Sequence, residues 1–174
     1  GLLGLGRPRF IPPTALGAIF ILRHYGVDLP GKNVAVIGRS INVGRPLALL
    51  LSMKERWSNA TVTQAHSRTE DIGRVTRSSD VIITAVGKRG LIDGSMVKDK
   101  TVIIDLGMVP DPDGSVKGDV NMTSLEGMDV KVTPVPGGAG PVTVSCMFLN
   151  LAISHLALKG HSIDDADPMI REIY

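Results

Sequence analysis

The chain has 174 residues, enough for one domain of roughly 150 residues with a terminal extension. Hydrophobic residues make up 43% and charged residues 21%, which excludes a disordered chain, and with aromatics at 3% the core falls to Val, Ile, Leu, Ala and Met. The formal net charge of +2, spread over scattered basic residues, argues against nucleic acid or an anionic membrane as partner, and the single cysteine, Cys146, excludes an internal disulfide and fits a reducing compartment.

Residues Gly1 to Pro13 are rich in Gly and Pro and read as a loop. The opening Gly1-Leu2-Leu3-Gly4-Leu5-Gly6 has no charged stretch followed by an apolar run, so no signal peptide is expected; it reads as the middle of a longer or processed protein. Thr14 to Tyr25 follows with Leu16, Ile19, Phe20 and Leu22 at helical spacing, Thr14 as candidate cap and Gly26 as stop. Val34-Ala35-Val36-Ile37 is a first short strand, closed by Gly38. Pro46 to Met53 reads as a helix with Pro46 in its first turn. Ala60 to Gln64 is a second strand. Glu70 to Arg77 is a short helix that Thr69 could cap. Val81 to Thr84, Thr101 to Asp105 and Val130 to Thr133 are three further strands, and Pro141 to Leu158 is a long apolar helix stopped by Gly160. The tail from His161 to Tyr174 reads as polar and uninformative. No apolar stretch is expected to be long enough to span a bilayer.

Short β-branched runs alternating with helices predict an α/β domain, a parallel sheet covered on both faces. Such a doubly wound, Rossmann-type sheet binds ligands beyond the carboxyl ends of its strands, so the loops after the strands carry the chemistry. The first, Gly38-Arg39-Ser40-Ile41-Asn42-Val43-Gly44-Arg45-Pro46, joins strand to helix as a phosphate-binding turn does. Gly38 permits a tight turn, Gly44 a close backbone approach, and the helix start offers N–H groups to a pyrophosphate. It departs from the usual glycine spacing, because Ser40 stands where a second Gly would. The plain alternative is an ordinary strand-to-helix turn.

The second loop bears on the choice of cofactor. An NAD site places an acidic residue near the end of the second strand, on the ribose hydroxyls. Here that end reads Gln64-Ala65-His66-Ser67-Arg68, without a carboxylate at the tip. Arg68, Ser67 and Arg39 of the first loop suit a 2′-phosphate, because guanidinium forks match phosphate oxygens. The expectation is therefore NADP rather than NAD. The third and fourth loops, Ala85-Val86-Gly87-Lys88 and Asp105-Leu106-Gly107, place small residues past a strand end, where a flat nicotinamide could lie, though a packing turn explains either one alone. The fifth, Thr133-Pro134-Val135-Pro136-Gly137-Gly138-Ala139-Gly140-Pro141-Val142-Thr143, is a rigid glycine-rich floor before a helix and favours function over plain connection. His66 reads as a structural or cofactor-edge residue; His24, His155 and His161 show no metal spacing; Cys146 and the dispersed methionines read as core, and Asp119 as structural.

Together these motifs resemble the bifunctional methylenetetrahydrofolate dehydrogenase/methenyltetrahydrofolate cyclohydrolase family. The resemblance rests on Phe10-Ile11-Pro12-Pro13-Thr14-Ala15-Leu16-Gly17, Gly31-Lys32, Val36 to Ser40, Val43 to Pro46, Ala60 to Thr63, His66 to Thr69, Ala85 to Lys88, Gly118-Asp119-Val120 and Thr133 to Thr143, in family order. It implies that NADP takes a hydride from a methylene-folate, and that water then opens the methenyl product to formyl-tetrahydrofolate. It implies cofactor contacts from Gly38, Arg39, Ser40, Val43, Gly44, Pro46, His66, Ser67, Arg68, Thr69, Ala85, Val86, Gly87, Asp105, Gly107 and Thr143, and folate contacts from Thr14, Pro136, Gly137 and Gly138. Two departures stand out: Pro12-Pro13-Thr14-Ala15 replaces the family's Pro-Cys-Thr-Pro, and Ala139 replaces a Val.

The family's catalytic Tyr and Lys and its pterin-binding Asp lie in an N-terminal domain with no counterpart here, so no catalytic residue is expected in this chain. The organisation this implies is a hinge loop and connecting helix over 1–28, a dinucleotide-binding domain over 29–142, and a C-terminal helix and tail over 143–174. It also implies a missing N-terminal domain as partner, which would leave apolar residues around Phe148 to Leu158 partly uncovered, a homodimer, and a cytoplasmic or mitochondrial setting. The competing readings are a stand-alone NADP-binding module without catalysis and a dehydrogenase of another one-carbon pterin.

Overall fold

The computed structural model describes residues 1–6, 8–161 and 168–173. Five parallel strands form the sheet: β1 (Asn33–Ile37), β2 (Thr61–Ala65), β3 (Val81–Thr84), β4 (Val102–Asp105) and, past a short hairpin, β7 (Lys131–Val132), in the order β2-β1-β3-β4-β7. The chain leaves β1 towards β2 and then returns to the other side of β1 for β3. That reversal is the switch point expected of a doubly wound sheet.

The central strands β1, β3 and β4 are short and nearly all apolar because both faces are covered, whereas the edge strand β2, with Thr61, Thr63 and Gln64 exposed, is not. Side chains alternate between the faces. Val34, Val36, Val81, Ile83 and Ile104 pack with Leu16, Ile19, Leu22, Leu47, Leu50 and Leu51 of α1 (Pro13–His24) and α2 (Gly44–Ser52). Ala35, Ile37, Ile82 and Ile103 face the other way, onto Ile72 and Val75 of α3 (Ile72–Arg77) and the 3₁₀ turns at Gly94–Met96 and Met122–Leu125.

Two cap assignments are corrected. α1 begins at Pro13 with Pro12 as its N-cap, so Thr14 lies inside the first turn and does not cap it. α3 is capped by Asp71, whose Oδ1 accepts from Arg74 N at 2.8 Å, and not by Thr69. A carboxylate there takes an otherwise unpaired amide and complements the positive helix end. A small antiparallel pair, β5 (Val109–Pro110) with β6 (Val116–Lys117), lies between β4 and β7, where no strand is predicted.

The C-terminal part departs most from expectation. α4 spans Ala139–Leu158, 20 residues with mean hydropathy 1.6, and is long and apolar enough to cross a bilayer by length and composition. The expectation that no stretch has that length is therefore corrected; the helix starts two residues earlier than Pro141 and carries no Asp, Glu, Lys or Arg. It lies across α1, with Cys146 buried and Val142 and Leu149 against the core, and Asn150 Nδ2 donates to Ile11 O at 2.8 Å. The tail is not merely polar: α5 (Pro168–Ile173) brings Ile173, 3% exposed, into the core. Residues 162–167 and 174 of that tail lie outside the described residues.

Candidate dinucleotide site

All five predicted loops leave the same edge of the sheet. Ile37 pairs with Ala65 on one side and Thr84 on the other, and Thr84 pairs with Asp105. The edge is stitched by Gly38 N donating to Ala65 O at 2.8 Å, Ala85 N to Ile37 O at 2.9 Å and Asp105 N to Thr133 Oγ1 at 2.8 Å. The Gly38 turn and the Arg68 turn are therefore neighbours on one rim. One contributor to that edge is not among the predicted site residues: Gln64 Nε2 donates to Gly38 O at 3.1 Å, tying the second strand to the first turn. A polar side chain ending the second strand, beside a glycine turn, was the available signal.

In the first loop, Gly38 has φ +125°, and a side chain there would meet the Ala85 carbonyl. At Gly44 a Cβ would collide with the Gly38 carbonyl, so its bareness lets the turn close. The amides at the helix start are not free either. Val43 N and Gly44 N donate to Ser40 Oγ at 3.1 and 3.4 Å, and Arg45 N donates to Ser40 O at 3.0 Å. Ser40 thus acts as the cap that Val43 cannot be, and the loop presents the Ser40 hydroxyl and the Arg39 guanidinium. Pro46 is buried in the first turn of α2, where its missing N–H costs nothing.

The second loop is held from within. His66 N donates to Thr69 Oγ1 at 3.0 Å, Thr69 N to His66 O at 2.8 Å, and Arg68 N to His66 Nδ1 at 3.1 Å. These bonds place Ser67 and Arg68 at the exposed tip. Among the described residues neither Arg39 nor Arg68 pairs with a carboxylate, so two cations and two hydroxyls gather on adjacent turns without a neutralising partner. That set suits a dianionic phosphate.

The third and fourth loops are organised by buried carboxylates. Asp119 is fully buried; its Oδ2 accepts from Thr84 Oγ1 at 2.8 Å and Val86 N at 2.7 Å, and its Oδ1 from Lys88 N at 2.7 Å. Asp105, 3% exposed, accepts from Gly107 N at 2.8 Å, Asp119 N at 3.1 Å and Val120 N at 3.0 Å. Its side chain is used inside the protein, so backbone is what Asp105 offers to a ligand. Burial first, and the nearby Asp119 charge last, push its carboxyl above the usual carboxylate range against those three N–H groups. Gly107 is bare because a Cβ would strike the Asp119 carboxylate. Gly87, at φ +71° beside exposed Val86, has open space next to it.

In the fifth loop, Gly137 adopts φ +94° with open space beside it, and Gly138 packs against the Pro134 carbonyl. Val135–Pro136 is cis. Thr143 sits where α4 crosses α1, its backbone within contact of the position a Gly17 Cβ would take. Thr14 lies one turn before Gly17 on the same helix. A cavity of about 930 Å³ opens from Thr133, Gly137 and Gly138 along β4 and β7 beneath Phe20 of α1 and Tyr25 just past its end. It reaches the rim at the fifth loop, through Thr133, Pro134, Gly137 and Gly138. Cys146 is no nucleophile: burial pushes its thiol up to about 11.

The chain matches the family model described as "Tetrahydrofolate dehydrogenase/cyclohydrolase, NAD(P)-binding domain" over residues 12–158. It is 44% identical over 164 residues to the bifunctional protein FolD of Roseiflexus sp. (strain RS-1), covering 92% of this chain and 56% of that protein. To the same-named protein of Chloroflexus aurantiacus it is 47% identical over 151 residues, covering 87% and 52%. Among solved structures, the bifunctional 5,10-methylenetetrahydrofolate dehydrogenase/cyclohydrolase of Thermoplasma acidophilum superposes with a TM-score of 0.84 at 37% identity, over 92% of this chain and 56% of that one. The Trypanosoma brucei enzyme, complexed with NADP cofactor and inhibitor, superposes at 0.80 and 36% identity, over 91% and 56%. The chain thus spans about half the length of the relatives it matches. With strand order, rim and motifs in agreement, this chain belongs to the tetrahydrofolate dehydrogenase/cyclohydrolase family, as its NAD(P)-binding domain.

Proposed function

We propose that this chain is the cofactor-holding half of an NADP-dependent methylenetetrahydrofolate dehydrogenase that also carries the methenyltetrahydrofolate cyclohydrolase step. One observation carries the choice of NADP: the Ile37–Ala65 register sets Arg39 beside Ser67 and Arg68, with no carboxylate at the tip of β2. Arg39, Arg68, Ser67 and Ser40 hold the 2′-phosphate end. His66 and Thr69 shape that turn, and Gly38, Val43, Gly44 and Pro46 set the backbone beside the pyrophosphate. Ala85, Val86, Gly87 and the Asp105–Gly107 turn floor the nicotinamide end. Thr14, Pro136, Gly137 and Gly138 stand where the folate approaches, and Thr143 beside the cofactor. The bound cofactor supplies hydride acceptance; the protein supplies position, which can account for several kcal/mol of a barrier.

The remaining half of the catalytic apparatus comes from a preceding domain of the same protein, docked on α4, whose Val144, Met147, Phe148 and Leu151 are exposed. A tetrahydrofolate derivative as substrate, a homodimer and a reducing compartment, cytoplasmic or mitochondrial, complete the proposal. Titration of the chain with NADP and NAD, for wild type and Arg39→Ala, tests it. The expected result is that NADP binds more tightly, and that Arg39→Ala weakens NADP by roughly tenfold or more while NAD changes little, since a charge-assisted bond to phosphate contributes about 1.5–3 kcal/mol. Equal losses for the two cofactors would remove the phosphate assignment.

A further inference from the structure

The Asp105–Asp119 pair lies behind the rim, not in it, and nothing in the proposed chemistry uses either carboxylate. Asp119 is fully buried, yet it is aimed outward at the turn after β3. Its two oxygens take the Thr84 hydroxyl and the amides of Val86 and Lys88. Val86, Gly87 and Lys88 are all exposed, and Gly87 has a positive φ. An exposed turn of this kind would ordinarily leave its amides to water; here a buried anion fixes two of them. The anion is in turn fixed by its own backbone, since Asp119 N and Val120 N donate to Asp105 on the neighbouring loop. The packing is reciprocal: Gly107 is bare against the Asp119 carboxylate, and Gly118 against that of Asp105.

We propose that Asp119 is a positioning residue for the nicotinamide end of the dinucleotide, acting through the Val86 and Lys88 amides it holds. The inference rests on the proposed dinucleotide site. With the phosphate end at β2, the rest of the molecule crosses β1 to reach the turns after β3 and β4, roughly 10–14 Å away at about 4.8 Å per strand. The Asp119-held turn is the surface it meets there. Asn is the sharpest substitution, because it keeps the shape and turns one oxygen into a donor facing Val86 N–H or Lys88 N–H.

The test measures Kd of wild type and Asp119→Asn for NADP and for adenosine 2′,5′-bisphosphate, the half of the cofactor that ends before the nicotinamide, with a urea midpoint to confirm folding. The expected result is about tenfold weaker NADP binding with the bisphosphate unchanged. Equal losses for both ligands, or none, would overturn the proposal, as a merely structural role moves them together. Wild type that binds neither ligand would instead overturn the dinucleotide site itself. Should Asp119→Asn not fold, amide exchange of the wild type decides. The Val86 and Lys88 amides must be protected in the free chain, and must change on adding NADP but not the bisphosphate; rapid exchange at both would overturn the assignment.

Discussion

At the scale of single residues, the buried carboxylates are where charge and fold meet most directly. Asp105 is raised above its ordinary value of 3.8, by burial foremost. In the window just above that value the folded chain therefore holds more proton than the unfolded one. Proton uptake favours folding there, so Asp105 makes stability fall as pH rises through the window and level off above it. Asp80, lowered foremost by its hydrogen bond from Lys98, and Asp93, lowered by Ser95, act with the opposite sign and lose stabilisation as pH falls. Comparison with Asp105→Asn isolates the effect. Its urea midpoint should be lower throughout, because an amide nitrogen would face one of the backbone donors, but the deficit should shrink as pH rises from the ordinary carboxylate value towards neutrality. A deficit that stays constant or grows would show that the Asp105 carboxyl is not raised. Residue types foretell this rim unevenly. That Arg39, Ser67 and Arg68 gather without a carboxylate was legible, because a missing carboxylate at a strand tip is a sequence fact. The Gly44, Gly107 and Asp105 contacts were not, because a glycine looks alike whether a ligand, a carbonyl or a carboxylate lies against it.

At the scale of elements, the five sheet strands lie within a residue or so of their predicted bounds, and β1, β3 and β4 stand out because burial on both faces makes them short apolar runs. The caps failed where two candidates stood close together, Thr69 against Asp71 and Thr14 against Pro12, and only the loop's three-dimensional course decides between them. The α1–α4 crossing makes a sharp prediction. A Cβ at Gly17 would meet Thr143 N at 3.4 Å, Val142 Cγ1 at 3.5 Å and Thr143 Cα at 3.6 Å, which is ordinary contact. Gly17→Ala should fit and recover helix propensity, leaving stability unchanged or higher by up to about 1 kcal/mol. Gly17→Val adds methyl groups where the helices already touch and should cost about 1–3 kcal/mol. Thermal or urea unfolding of the two variants checks this; a Val variant as stable as the Ala variant would mean that the helices are farther apart.

At the scale of the whole molecule, the tension lies between a helix built for burial and a surface that leaves it bare. α4 has no acidic or basic residue apart from His155, yet Met147 is 53%, Phe148 60% and Leu151 65% exposed. A contiguous apolar face of this kind marks an interface rather than a solvated surface. The relatives are about twice as long as this chain, and the domain proposed above to precede it is the occupant this face would suit. Because these three side chains contact little within the chain, replacing Met147, Phe148 and Leu151 with Gln, Ser and Gln should change its unfolding free energy by no more than about 0.5 kcal/mol each. The same replacements should reduce self-association, read by light scattering. In a protein of the relatives' length they should instead destabilise, by an amount closer to the roughly 1.5–3 kcal/mol that burying each such side chain contributes. The contrast between the two contexts is the result that matters. A large loss in the short chain would place the face inside its own core, and no loss in the long one would leave α4 without the partner its composition demands.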